Sequence, residues 1–297
     1  MKQNKIVIIA SFLYMVIVSA FMIYHRIWFS PDQFFIFAIL GSLILGRTKI
    51  FIIDWGPFLL LFLGYEFLRS LAPFVIGRAH IFPMILVDKF MFGSIPSVTL
   101  QNALYNSSNL KWYDYLTVIL YISHFVIPMC VGYLFWLRSR KIFKNYSLTI
   151  LVVSYMAFLT FLIFPAMPPW MAANKGYIPE VKEIISGVMS HFASSFNLPT
   201  VYAILGADPV AAVPSLHAAF PVIIFLFVFK LSKKLSILAF IYIVGVWFSI
   251  VYLGEHYFVD ALIGALYAIV GFMIVEKKAF IFSTFKKLGS YYKSFRV

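Results

Sequence analysis

The sequence predicts an all-α, polytopic membrane protein, a helical bundle of about eight transmembrane helices. Of its 297 residues, 63% are hydrophobic and only 12% are charged, and the mean hydropathy is +0.94. Soluble domains carry about 25% charged residues. The apolar residues also fall into runs close to the roughly 20 residues that a helix needs to cross a bilayer. These observations exclude an ordinary soluble globular protein.

Eight apolar runs are the predicted spans. The first is long for the core of a signal peptide, so we interpret it as an uncleaved span. Ser30-Pro31-Asp32, before the second run, is typical of a turn followed by a helix start. In chain order the predicted spans are residues 6–24, 34–46, 50–68, 115–137, 148–164, 214–229, 235–253 and 254–275.

Two stretches between these runs are predicted to lie outside the membrane. Five prolines and glycines interrupt residues 69–111, which predicts an interfacial segment with a short helix over 81–92. Residues 165–209 are more polar and predict a long loop with a surface helix over 181–196.

The basic residues predict the orientation. The net charge of +13 comes from clusters of Lys and Arg between apolar runs, a pattern typical of cytoplasmic loops near anionic lipid rather than of nucleic-acid binding. With the N-terminus inside, seventeen Lys and Arg lie on the cytoplasmic side and seven on the other. Both termini are therefore predicted to be cytoplasmic, and the 165–209 loop extracytoplasmic.

Two histidine motifs open the sixth and eighth spans at the predicted outer side. They are Pro214-Ser215-Leu216-His217 and His256-Tyr257-Phe258-Val259-Asp260. Residues four apart on a helix share a face, so His256 and Asp260 are predicted to touch. An ionisable side chain inside an apolar helix costs about 2–3 kcal/mol on insertion scales, which makes Asp260 a candidate functional residue.

These motifs fit phosphoryl transfer. A neutral imidazole attacks phosphorus when a carboxylate fixes its tautomer and stabilises the cation that forms, the role predicted for Asp260 beside His256. A second imidazole, with a pKa of about 6.5, suits proton donation to the leaving oxygen, the role predicted for His217. Ser215 precedes the helix, so its hydroxyl and the free N–H groups of the first turn are predicted to face a phosphate.

Other interpretations of these residues stay open from the sequence alone. Each histidine by itself fits an ordinary hydrogen-bonded side chain at the membrane interface. His217, His256 and Asp260 together have the donor types of a zinc site. His124, Glu66 and Asp260 also fit an ion or proton path, the signature of a channel or transporter.

The motifs resemble a known enzyme family. Both histidine motifs resemble the second and third signature motifs of the type 2 phosphatidic acid phosphatase superfamily, which implies a six-helix phosphatase-like core. Residues 252–260 look most like the inositol phosphorylceramide synthase branch, and Phe164-Pro165-Ala166-Met167-Pro168-Pro169-Trp170 resembles its first motif. Further stretches are similar to bacterial members of the branch: residues 65–69, 88–101 and 121–125.

The resemblance implies that His256 is the nucleophile, Asp260 its orienting carboxylate and His217 the general acid. The motif arginines of the superfamily are missing: Ile250 stands where the third motif has one, and the first-motif segment has none nearby. Arg69 is the preferred replacement, although it fits an interfacial snorkelling arginine equally well. The residues predicted to bind substrate or phosphate are Ser215, Arg69, Lys175, Pro169, Trp170 and His124.

Residues and resemblance together predict an enzyme of the bacterial cell membrane with an extracytoplasmic active site. We expect a phosphotransferase that moves a phosphorylated head group from a phospholipid donor to a lipid or sugar alcohol through a phosphohistidine. The alternative is a phosphatase that uses water to hydrolyse a phosphatidic acid or polyprenyl phosphate-type substrate. No metal, organic cofactor or nucleic acid is expected. The predicted organisation is an N-terminal hairpin (1–49), a catalytic membrane domain (50–275) and a basic cytoplasmic tail (276–297).

Overall fold

The computed structural model describes residues 31–69, 77–193 and 210–294, together with a few single positions before residue 31. The predicted first span therefore lies almost wholly outside the described residues. The all-α fold class is confirmed. The helices of the described part are α1 (Pro31–Ile44), α2 (Thr48–Arg69), α3 (Phe82–Phe92), α4 (Pro96–Leu104), α5 (Trp112–Arg138), α6 (Arg140–Ile163), α7 (Pro169–Asn174), α8 (Ile184–Ala193), α9 (Leu216–Leu231), α10 (Lys233–Tyr252) and α11 (Phe258–Ser294).

The long apolar helices make the chain an integral membrane protein. In the described part, α2, α6, α10 and the section of α11 up to Lys277 are long and apolar enough to cross a bilayer. α5 becomes a fifth span if its two halves, which meet at 50°, are taken together. α1 and α9, with 14 and 16 residues, are shorter than the roughly 20 that a full crossing needs. Fewer full-length spans are thus described than the eight predicted.

Prolines lie inside the two helices that carry histidines at the site. Pro128 follows His124 by four residues in α5, and Pro221 follows His217 by four residues in α9. Proline has no N–H to complete the helix hydrogen bond to the residue four positions earlier, and its ring crowds that carbonyl. The bend of α5, between Trp112–His124 and Val126–Arg138, falls at this point.

The short helix α9 lies at the centre of the bundle. It packs against α5, α6, α10 and α11, and Ala218, Ala219 and Ile223 along it are completely buried. Because protein surrounds α9, it does not need the length of a lipid-exposed span.

A glycine allows the closest approach between α9 and α11. A Cβ atom placed on Gly264 of α11 would lie 2.3 Å from the carbonyl oxygen of Ser215, the residue that caps α9. Only glycine leaves room for that backbone oxygen. The contact holds the start of α11, with its histidine motif, against the start of α9, with the other.

Short helices and extended segments cover the histidine end of the bundle. The predicted helix over 81–92 is confirmed as α3, and the surface helix predicted over 181–196 is present as α8, with residues 194–196 outside the described part. Three extended segments lie side by side through parallel bridges, from His80 to Ala166 and from Ala166 to Ala211. The backbone N–H of Ala166 donates to the Val210 carbonyl at 2.8 Å. This cover joins the first-motif segment to the chain that leads into α9.

An ion pair between a buried carboxylate and a half-exposed arginine ties the helices together at the opposite end. The carboxylate of Asp54 in α2 accepts hydrogen bonds from Arg140 at 2.5 and 2.7 Å and from the indole of Trp136 at 3.1 Å. A buried carboxylate needs such partners, because leaving it unpaired costs several kcal/mol. The pair fixes α2 to the corner between α5 and α6.

We predict that Gly264→Ala destabilises the fold by about 1–3 kcal/mol, the usual cost of overpacking, because the new methyl group displaces backbone rather than a flexible side chain. Thermal unfolding of the purified protein in detergent measures the effect. Gly245→Ala is the matched control, since its Cβ would meet the tip of the Leu120 side chain at 3.2 Å. Equal unfolding temperatures for the two variants would contradict the prediction.

Candidate active site

His256 lies in the turn between α10 and α11. The sequence places it with Asp260 on one helix, but α11 begins only at Phe258. Gly254 has φ of +80°, in the left-handed region that ends α10. The backbone N–H of His256 donates to the Ile250 carbonyl at 3.1 Å, which closes the turn.

The hydrogen bonds of His256 determine its tautomer. Its Nδ1 lies 3.0 Å from the carbonyl oxygen of Ala212, and a carbonyl only accepts, so Nδ1 carries the proton. The same nitrogen lies 3.5 Å from Oδ2 of Asp260. In the neutral ring, Nε2 is therefore the nitrogen with the lone pair.

Asp260 is completely buried at the start of α11. Its Oδ2 accepts the backbone N–H of Tyr257 at 2.9 Å, and its carbonyl oxygen accepts the N–H of Ser215 at 3.1 Å. Oδ1 has no hydrogen-bond partner among the described residues. A carboxylate in this position favours positive charge on the neighbouring imidazole.

The two motif histidines face each other across the gap between α9 and the turn. Nε2 of His256 lies 3.4 Å from Nδ1 of His217, and the ring centroids are 5.4 Å apart. Because Nε2 of His256 is the acceptor, Nδ1 of His217 is assigned as the donor of this long hydrogen bond. A protonated nitrogen thus faces a nucleophilic one.

A third histidine and a tyrosine, both from α5, complete the cluster. The ring of Tyr121 stacks on that of His217 with centroids 4.2 Å apart. The centroid of the His124 ring lies 3.6 Å from that of His217. His124 is 4% exposed. We call His124, His217, His256 and Tyr121 the histidine cluster.

A remote carboxylate holds the turn that carries His256. Asp88 of α3 is completely buried and accepts the backbone N–H groups of Phe258 and Val259, at 2.9 and 3.0 Å. It therefore caps α11 from a different part of the chain, with its negative charge at the positive end of the helix dipole. Burial raises the pKa of Asp88, and the two N–H donors lower it in part.

The residue before His256 is the half-buried Glu255. Burial and the nearby Glu183 raise the pKa of Glu255 to about 8, while a hydrogen bond with Trp170 opposes the shift. Glu255 is therefore mostly neutral at pH 7. The backbone N–H of Trp170 also donates to the Gly254 carbonyl at 3.0 Å, so the first-motif segment rests against the turn.

The other residues predicted to bind substrate differ in where they lie relative to the histidine cluster. Ser215 uses its hydroxyl to cap α9, accepting the N–H of Ala218 at 3.3 Å. Pro169 is the buried first residue of α7, and Lys175 is exposed just after that helix ends. The side chain of Arg69, the preferred phosphate ligand, lies outside the described residues.

Ile250, which stands in the position of the family arginine, is completely buried in an apolar cluster with Val246 and Ala261. In the described part of the chain, no group of three or more His, Cys, Asp or Glu side chains is arranged to hold a metal ion.

Sequence reasoning assigned no role to several residues that shape the site. Asp88 and Gln101 lie in the stretch 88–101, and Tyr121 lies in 121–125. Gln101 clamps the end of α10 by donating to the carbonyls of Tyr252 and Lys182, at 2.8 and 3.0 Å. The only available signal was the similarity of these two stretches to bacterial family members.

Comparisons with known proteins agree with this geometry. The family model of the PAP2 superfamily, the type 2 phosphatidic acid phosphatases, matches residues 84–274. A curated relative from Bacteroides thetaiotaomicron, named phosphoinositol dihydroceramide synthase, is 26% identical over 229 residues, which cover 74% of this chain and 75% of the relative. No solved structure matches the chain significantly. The matched region contains the whole histidine cluster, Asp88 and Asp260, and the chain therefore belongs to the PAP2 superfamily of lipid phosphatases and phosphotransferases.

Proposed function

We propose that this protein transfers a phosphorylated head group from a phospholipid to a lipid alcohol through a phosphohistidine on His256. The observation that carries the proposal is the pairing of the two imidazoles. Nε2 of His256 holds a lone pair and faces the Nδ1 proton of His217 at 3.4 Å. A nucleophile and a proton donor that face each other are the two groups that an in-line displacement at phosphorus requires, once the rings separate to admit the donor lipid.

The first step forms the covalent intermediate. Nε2 of His256 attacks the phosphorus of the donor diester, and the bond between phosphorus and the lipid oxygen breaks. That oxygen takes a proton from the imidazolium form of His217, which becomes neutral, and leaves as the lipid alcohol. Asp260 and the Ala212 carbonyl stabilise the positive charge that develops on the His256 ring.

The second step transfers the head group. The hydroxyl of the acceptor gives its proton to the now neutral His217 and attacks phosphorus, and the P–N bond to His256 breaks. The enzyme returns to its initial state. The name of the Bacteroides relative suggests phosphoinositol as the head group and dihydroceramide as the acceptor.

The charges at the site support a phosphodiester donor over a phosphate monoester. A diester carries one negative charge and a monoester up to two, so a monoester demands more cationic ligands. Ile250 in place of an arginine, packed among apolar side chains, removes one such ligand. The mostly neutral state of Glu255 at pH 7 also suits an anionic donor with a single charge.

The proposed location of the reaction is the outer leaflet. The distribution of basic residues between the spans supports an extracytoplasmic histidine end by the positive-inside rule. In this orientation the first-motif segment and the cover of short helices lie outside the membrane.

We predict that purified protein in detergent makes phosphoinositol dihydroceramide from phosphatidylinositol labelled in the head group only when dihydroceramide is added. His256→Ala should lower the rate by more than roughly 10³-fold, because no other group replaces the nucleophile. Product is measured by chromatography of the labelled lipid. Rapid acid-free quenching should also retain label on wild-type protein and none on the variant.

His80→Ala is the matched control for this experiment. His80 belongs to the cover at the same end and stacks on Phe164 with centroids 4.0 Å apart, so its loss should leave transfer within about twofold of wild type. Equal transfer by His256→Ala and wild type would remove His256 as the nucleophile. Release of phosphate from phosphatidic acid without any acceptor would show that the enzyme is a phosphatase and not a transferase.

We also predict a pH-dependent KM governed by Glu255. Its pKa of about 8 makes it neutral below that pH and negative above it, and the new charge repels an anionic donor. The KM for phosphatidylinositol should therefore rise between pH 7 and 9, by roughly tenfold for about 1.4 kcal/mol of repulsion. Glu255→Gln should keep a flat profile, whereas the exposed Glu180→Gln should behave as wild type. A rise that persists in Glu255→Gln would assign the effect to another group.

A further inference from the structure

His124 touches the proton donor of the site but does not face the nucleophile. Its ring centroid lies 3.6 Å from that of His217, at an interplanar angle of 48°. Tyr121 contacts the same ring at 4.2 Å, stacked at 19°. The two α5 residues are three positions apart and therefore share one face of the helix. Together they hold the His217 imidazole from the α5 side.

The orientation of His124 is itself fixed by the backbone. Its Nδ1 lies 2.8 Å from the carbonyl oxygen of Tyr121, which only accepts, so Nδ1 carries a proton and donates it. This bond sets the rotation of the His124 ring. It also joins the two residues that contact His217 into one unit.

Titratable groups from two elements face the His217 ring among the described residues. From α5 it faces Tyr121 and His124, and from the turn before α11 it faces His256, behind which Asp260 lies. The ring must keep Nδ1 directed at the lone pair of His256, 3.4 Å away. A rotation about χ2 would turn a carbon toward the leaving oxygen instead.

We propose that His124 is a positioning residue, which holds the His217 imidazole in the orientation that donates a proton to the leaving lipid oxygen. This inference rests on the proposed function, in which His217 is the general acid. It assigns His124 a different role from the direct substrate contact predicted by sequence. His124 acts through His217 and has no bond to the phosphoryl group.

The leaving group of the donor provides the test. A lipid alkoxide is strongly basic and needs a proton as it leaves, whereas p-nitrophenolate leaves without one. The experiment compares phosphatidylinositol with the p-nitrophenyl diester of phosphoinositol, using the full-length protein in detergent. Wild type, His124→Ala and His217→Ala are compared with both donors by the rate of leaving-group release in the first turnover, because His217 is also the base of the second step and would affect steady-state transfer to dihydroceramide with either donor.

The expected result is a selective loss. His124→Ala should lower the first-turnover rate of leaving-group release from phosphatidylinositol by about 10²-fold, within the usual contribution of general acid catalysis, and the same rate from the p-nitrophenyl donor by less than about fivefold. His217→Ala should show the same selectivity. Equal losses with both donors would mean that His124 supports the fold or binds substrate, and would overturn the proposal.

Two further variants separate positioning from folding. His124→Phe keeps a ring against His217 but loses the bond to the Tyr121 carbonyl, so it should fold as wild type and still lose about tenfold with phosphatidylinositol alone. Wild-type activity of this variant would overturn the proposal. The matched control is Ser123→Ala, whose hydroxyl lies 2.8 Å from that of Tyr242. It should retain activity with both donors.

A double variant gives a measure that needs only the lipid donor. If His124 acts through His217, the double variant His124→Ala/His217→Ala should lose no more activity than His217→Ala alone. A loss in the double variant equal to the product of the two single-variant losses would contradict the proposal. Failure of the proposed function is distinguishable, because it would appear as full turnover of both donors by His256→Ala.

Discussion

The carboxylate of Asp260 is the constraint on which the active site depends. A charged group inside an apolar bundle is expensive, so its position is tolerated only where hydrogen bonds and an opposing charge compensate it. Its side chain binds the Tyr257 N–H and approaches His256 Nδ1, and its carbonyl binds the Ser215 N–H that precedes α9. One residue therefore fixes the turn, the tautomer of the nucleophile and the start of the helix that carries the proton donor. Gly264, one turn later, makes this approach sterically possible.

The turn with His256 is held by residues that are far away in the sequence. Asp88 caps α11 through two N–H groups, Gln101 clamps the last residue of α10, and Trp170 donates to Gly254. Each of these bonds joins the membrane helices to the covering segments. The cover thus supports the turn that carries His256, because His256 lies outside any regular helix. This arrangement gives the first-motif segment a structural purpose even without the arginine that the family usually places there.

Sequence patterns predicted the membrane class, the short helix α3 and the proximity of the two histidine motifs, since each of these follows from local composition or spacing. The helical position of His256 was wrong, because the left-handed Gly254 and the remote cap from Asp88 delay the start of α11 to Phe258. The hydroxyl of Ser215 caps α9 through a local hydrogen bond. A serine just before a helix fits such a cap and phosphate binding equally well, so the sequence alone does not distinguish the two. No local sequence pattern predicted the capping role of Asp88, because the residues whose N–H groups it accepts lie 170 and 171 positions further along the chain. The role of α5 depends on tertiary packing, which brings Tyr121 and His124 to His217.

The two imidazoles of the site are held by different means, and this difference decides how a substrate enters. Nitrogens 3.4 Å apart leave no space for a phosphoryl group between them, so one ring must shift when the donor binds. His256 is fixed through its ring by Ala212 and Asp260 and through its backbone by Ile250. The His217 ring instead stacks on Tyr121 and contacts the tilted ring of His124, and ring contacts shift at lower cost than directional hydrogen bonds break. Pro128 and Pro221 each remove a helix hydrogen bond four residues after a histidine, on the two helices that carry this stack. On the proposed mechanism, therefore, His217 and its α5 partners shift together to admit the substrate, so that the orientation of the His217 ring is kept while His256 stays in place.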